Sequence, residues 1–113
     1  DESLISPVAR FAKPGNIIII VSGAETAPEG MNVDFDCALA TENMYVAAQG
    51  LGLGAHIYTG PIRNINAKKQ EYQIPEGYRA VSVLQIGHID TGVDAVSAAS
   101  SRKSKEELVN YGK

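Results

Sequence analysis

The chain has 113 residues, 44% of them hydrophobic, and a formal net charge of −3. That composition supports a packed core rather than disorder, and the length allows one small domain or a piece of a larger one. Acidic residues outnumber basic ones 13 to 10, and Arg102-Lys103-Ser104-Lys105 is the densest basic cluster, so nucleic-acid or anionic-membrane binding has no electrostatic support.

Cys37 is the single cysteine, which excludes an intramolecular disulfide and a cysteine zinc cluster and suits a reducing compartment. The longest apolar run, Ile17 to Val21, is far too short to span a bilayer, and no secretory signal opens the chain. The first residue is Asp1 rather than Met, which points to removal of the natural N-terminus.

Lys13-Pro14-Gly15 reads as a turn, followed by Asn16 to Ser22, in which five consecutive β-branched residues predict a strand covered on both faces. Gly23 to Asn32 reads as a loop. Asn32 to Leu51 is the strongest element, a helix with Asn32 or Asp34 as N-cap. Cys37, Ala40, Met44, Ala47, Ala48 and Leu51 recur at helical steps, yet Leu39, Tyr45 and Val46 make the other faces apolar too. A helix that is apolar nearly all round needs cover nearly all round. The rest of so short a chain can hardly supply it, so a further segment or a second subunit is expected against it.

Gly50 and Gly52 are placed to end that helix with a left-handed residue. Gly54 to Tyr58 reads as a short strand, Thr59-Gly60-Pro61 as a turn, Arg63 to Gln73 as a short surface helix, and Tyr78 to Ile86 as a buried strand. Gly87 to Ser101 is small and irregular. Ser104 to Gly112 reads as a final helix, opened by the capping box Ser104-Lys-Glu-Glu107 and closed by Gly112.

Several motifs invite a chemical reading. Gly50-Leu-Gly-Leu-Gly54 runs helix, glycines, strand, the reverse of a dinucleotide fingerprint, so helix capping is the better reading. Cys37 sits in the first turns of an apolar helix and reads as a small buried hydrophobe rather than a nucleophile. His56 and His88 lie beside predicted strands without a partnering Asp, Glu or Cys at metal-like spacing, and no Ser–His–Asp arrangement can be assembled. Arg102 and Lys103 precede a capped helix start, a combination that attracts phosphate, the competing reading being a solvated basic loop.

Three segments in order carry a resemblance. Asp36 to Gly54 resembles the central helix of the FMN-dependent nitroreductase family, with its closing Gly-Leu-Gly pattern. Tyr78 to His88 is similar to the family's late core strand ending in Ile-Gly. Arg102 to Val109 is similar to its basic pair followed by a Glu-Glu-aliphatic helix. The likeness covers about Asn16 to Val109.

The resemblance implies an α+β fold, an antiparallel-rich central sheet with flanking helices. Residues 1–113 would be a single partial domain, the C-terminal part of an intertwined homodimer with FMN at its interface. It implies that Ile57, Tyr58, Thr59 and Gly60 lie against the isoalloxazine ring, with the backbone near Thr59 and Gly60 facing its N5/O4 edge, and that Arg102 and Lys103 grip the FMN phosphate. It assigns no catalytic acid or base and no metal. The implied activity is hydride transfer from NAD(P)H through flavin to a nitroaromatic, quinone or similar acceptor, in the cytoplasm, with dehalogenating or flavin-fragmenting chemistry as a variant. His88 stands where the family often has an aromatic residue. The family's early basic and serine motif has no counterpart here, which leaves a second reading: a non-catalytic fragment or degenerate homologue that keeps the dimerisation core without competent flavin binding.

Overall fold

A computed structural model of the chain describes residues 2–90, 92 and 102–112. A short helix α1 (Glu2–Ile5) opens it, an element the hydrophobic pattern does not announce, and the turn after it buries Val8 and Ala9. Gly15, at φ +88, closes the Lys13-Pro14-Gly15 turn, where the Asn16 N–H donates to the Lys13 carbonyl at 3.0 Å, and the chain runs into β1 (Ile17–Ala24).

Helix α2 (Val33–Gly50) begins as its sequence requires. Asn32 is extended, and its Oδ1 accepts the Phe35 N–H at 3.0 Å, so Asn32 rather than Asp34 is the N-cap. At the other end Gly52 adopts φ +75. Its N–H donates to Gln49 and that of Leu53 to Ala48, a Schellman closure in which Gly50 still belongs to the helix.

The chain then enters β2 (Gly54–Tyr58), helix α3 (Ile62–Ala67) and the long strand β3 (Tyr78–Gly87). Helix α3 is shorter than the 63–73 reading. The chain leaves the helical path at Lys68, and Gln73, at φ +56, turns Ile74 into the core. Gly87 completes β3, and most of the irregular stretch read at 87–101 lies outside the described residues.

Helix α4 (Lys105–Leu108) is a single turn. Ser104 Oγ caps it by accepting the Glu107 N–H at 3.3 Å, but the helix stops at Leu108 instead of reaching Gly112. Leu108, Val109 and Tyr111 are all exposed, so no buried face rewards further turns, and so short a helix gains little from its backbone alone.

The three strands form one antiparallel sheet in the order β1-β3-β2. On β1, Val21 pairs with Ser82 and Ser22 with Ala80, so Val81 is passed over in a bulge. The bulge shifts the alternation of β3. Arg79 and Ser82 both meet α2, through Asp34 (2.6 Å) and Thr41 (2.7 Å), while Ala80 and Val83 join the core on the α3 side. That core combines Val8, Ile65, Ile74, Ala80 and Val83, with Ile18, Ile20 and Tyr58 packed on its margin. Asn66 closes it by pairing both ways with the Ala80 backbone, at 2.7 and 3.0 Å.

Helix α2 lies across the opposite face of the sheet and buries Cys37, Thr41 and Ala48 there. At about 100° per residue, Phe35, Leu39 and Val46 fall on the far side of the helix. They are 60%, 52% and 57% exposed. The described residues thus leave uncovered the second apolar face that the sequence predicts. Its radius of gyration, 16.7 Å, exceeds the roughly 13 Å of a compact domain of this length.

Candidate functional site

The edge strand β2 positions the residues singled out from sequence. Ile57 and Tyr58 are its last two residues, and Thr59 and Gly60 form the turn into α3, where the Thr59 carbonyl accepts the Ile62 N–H at 3.2 Å. Thr59 and Gly60 are exposed, and the Gly60 N–H has no partner among the described residues. A Cβ placed on Gly60 would meet nothing within 4 Å, and Gly60 does not sit in the left-handed region. The fold of this chain therefore places no demand for glycine there.

Arg102 and Lys103 are exposed and lie immediately before α4. Because α4 has only four residues, its dipole adds little, and any hold on a phosphate rests on the two side chains. They do not line the cleft that contains Tyr58.

That cleft is a shallow, open depression of about 220 Å³ on the α3 side of the sheet. His56 and Tyr58 line it from β2, with ring centroids 4.3 Å apart, and Gln85 and Gly87 from β3. Phe11, Asn16 and His88 complete the wall. A hydrogen-bonded chain runs across it. Tyr58 OH donates to Gln85 Oε1 at 2.8 Å, Gln85 Nε2 donates to Asn16 Oδ1 at 2.7 Å, and the Lys13 N–H donates to the same oxygen at 3.0 Å. His56 and His88, weighed in the sequence as an acid–base pair or as ligands, thus line one cleft. Phe11, Asn16 and Gln85 escaped the sequence reading. Gln85, a polar residue inside an apolar strand, was the available signal, whereas Phe11 and Asn16 belong to segments whose placement local pattern does not reveal.

Cys37 is buried against Gly23, and desolvation pushes its thiol pKa up against the opposing pull of Arg79. A thiol held protonated is a poor nucleophile, in keeping with a packing role. Among the described residues no group of three metal-ligating side chains occurs, and no helix is long and apolar enough to cross a membrane.

No family model and no curated protein sequence matches the chain. Solved structures do. A nitroreductase family protein from Clostridium difficile 630 superposes with a TM-score of 0.60 at 21% identity, over 85% of this chain and 59% of that one. A nitroreductase with bound FMN from Bacteroides fragilis NCTC 9343 superposes with a TM-score of 0.54 at 22% identity, over 78% of this chain and 50% of that one. The fold is nitroreductase-like. The nitroreductase-like chain spans between half and three-fifths of the length of these two structures. Its small antiparallel sheet with helices on both faces agrees with the α+β expectation.

Proposed function

We propose that this chain is the C-terminal part of an FMN-dependent oxidoreductase that works as a homodimer, with the flavin lodged where the two copies meet. The observation that carries the reading is the nitroreductase-like fold, shared with a structure that holds FMN. Two features of this chain fit it. Gly60 offers an unpartnered N–H on an open turn whose own fold does not require glycine. Helix α2 carries an apolar stripe, Phe35, Leu39 and Val46, that a second copy would bury.

When bound, FMN supplies the hydride chemistry, from NAD(P)H to a nitroaromatic, quinone or similar small acceptor. The chain's residues bind, orient and tune. Ile57 and Tyr58 present the end of β2 to the ring. The backbone N–H groups at Thr59 and Gly60 would donate to the edge of the bound ring and so favour negative charge there. Arg102 and Lys103 would hold the phosphate, Arg102 through its planar guanidinium and Lys103 as a point charge. No side chain of this segment is assigned as acid or base.

The test is direct. The full-length protein is purified, its absorbance spectrum recorded, and NAD(P)H oxidation followed with a nitroaromatic acceptor. Flavin absorbance and acceptor-dependent oxidation are expected. A colourless protein that neither takes up added FMN nor oxidises NAD(P)H would establish the non-catalytic reading instead.

A further inference from the structure

We propose that Gln85 and Asn16 are positioning residues of the proposed flavin site, acting through Tyr58, whose side chain they hold in one orientation. The proposal rests on the reading above, in which Tyr58 lies against the flavin ring. Tyr58 is the last paired residue of β2, opposite Val83, and leads directly into the turn at Thr59 and Gly60. Among the described residues β2 pairs only with β3, and it is five residues long. The ladder joins the strands but fixes only the backbone of Tyr58. Its hydroxyl is fixed by a second set of bonds, to Gln85 Oε1 and through Gln85 to Asn16, in the turn before β1. Tyr58, Gln85 and Asn16 are all half-buried, where a lost partner costs more than at the surface. Support of this kind is what holds a ligand-facing side chain in its working rotamer.

The bonds have a fixed polarity. A backbone N–H can only donate, so the Lys13 N–H makes the atom it meets on Asn16 the carbonyl oxygen. Gln85 reaches the same oxygen through its amide nitrogen and therefore turns Oε1 toward Tyr58, which donates to it. A flipped Gln85 amide would set oxygen against oxygen at Asn16 and its N–H groups against the Tyr58 hydroxyl proton. Tyr58 thus meets an acceptor in a fixed place. Gly87 leaves room for this arrangement, because a Cβ there would run into the Asn16 amide.

The polarity makes near-isosteric changes behave differently. Asn16→Asp keeps an oxygen for both the Lys13 N–H and Gln85. Gln85→Glu sets an oxygen against the Asn16 oxygen, and Gln85→Met, neutral and of similar length, removes both bonds. In the full-length protein loaded with FMN, the visible absorbance band of the bound flavin and the FMN dissociation constant are measured, with circular dichroism to establish that each variant is folded. Gln85→Glu and Gln85→Met should shift the band and raise the dissociation constant by about threefold or more. Asn16→Asp, which adds the same charge as Gln85→Glu, should change both much less. In a Tyr58→Phe background Gln85→Met should add no further change. The proposal is overturned by parent-like flavin properties in Gln85→Met, by equal effects of Asn16→Asp and Gln85→Glu, or by an undiminished effect of Gln85→Met on Tyr58→Phe. A parent protein that takes up no FMN removes the flavin reading, and the Tyr58 ring resonances of the flavin-free protein then decide the positioning. Resonances displaced in Gln85→Met but not in Asn16→Asp support it, and resonances unmoved in both overturn it.

Discussion

Thr41 Oγ1 lies 2.7 Å from Ser82 Oγ and also donates to the Cys37 carbonyl at 2.7 Å, so its only proton is committed within α2 and Ser82 must be the donor between helix and sheet. Both residues are buried. Thr41→Val therefore strands the Ser82 hydroxyl and should cost about 1–3 kcal/mol. The double change Thr41→Val with Ser82→Ala removes both polar partners and should recover part of that loss. Urea denaturation of the three variants measures it, and a double variant less stable than Thr41→Val would show that the pair is not coupled in this way.

The outer face of α2 makes a separate prediction. Burying a Leu side chain contributes about 1.5–3 kcal/mol, and a two-fold contact counts it twice. Leu39→Lys should weaken self-association by about 100-fold or more while leaving helix content unchanged, because Leu39 is already half-exposed within one copy. Analytical ultracentrifugation and circular dichroism separate the two effects.

Gly60 distinguishes a ligand's demand from a fold's demand. Since a Cβ there meets nothing within 4 Å among the described residues, Gly60→Ala should leave the unfolding midpoint unchanged and weaken FMN binding. Equal FMN affinity in the variant would remove the β2 turn from the flavin site.

Arg102 is tested by comparing two flavins. An arginine on a phosphate contributes about 1.5–3 kcal/mol as a charged hydrogen bond. Arg102→Gln should therefore raise the FMN dissociation constant by about tenfold or more and leave riboflavin, which lacks the phosphate, unaffected. Equal losses for the two flavins would place Arg102 elsewhere.

Cys37 predicts a pH dependence. Its folded-state pKa is raised by burial above the unfolded value of 9.0, so the folded chain favours the protonated thiol. That contribution to stability is full below the unfolded pKa and is lost as pH rises through the folded one. Cys37→Ser should flatten the alkaline loss of stability seen in the parent, and the native thiol should react with a disulfide reagent far more slowly than in urea.

Much of this architecture was legible in the residues. The β-branched run after Pro14-Gly15 became β1, Asn32 and Gly52 bounded α2, and the all-round apolarity of that helix anticipated a face that the described residues leave exposed. What failed was the extent of elements whose length depends on tertiary cover. Helix α4 stops after one turn where Leu108 is exposed, and α3 gives way where Gln73 swings Ile74 inward. The bulge at Val81 and the meeting of Asn16 with Gln85 are also invisible locally, since they arise from strand register and from a contact across 69 positions. Ile57 to Gly60, by contrast, stood out through family likeness, and the structure adds that Gly60 is open and unpartnered.

The proposed function requires flavin held at a seam between two copies. Sedimentation velocity of the full-length protein, followed at the flavin absorbance band, reads both properties in one run. A single boundary carrying flavin absorbance at the mass of a dimer is the expected result. A monomer boundary without flavin colour, in the presence of excess FMN, would contradict it.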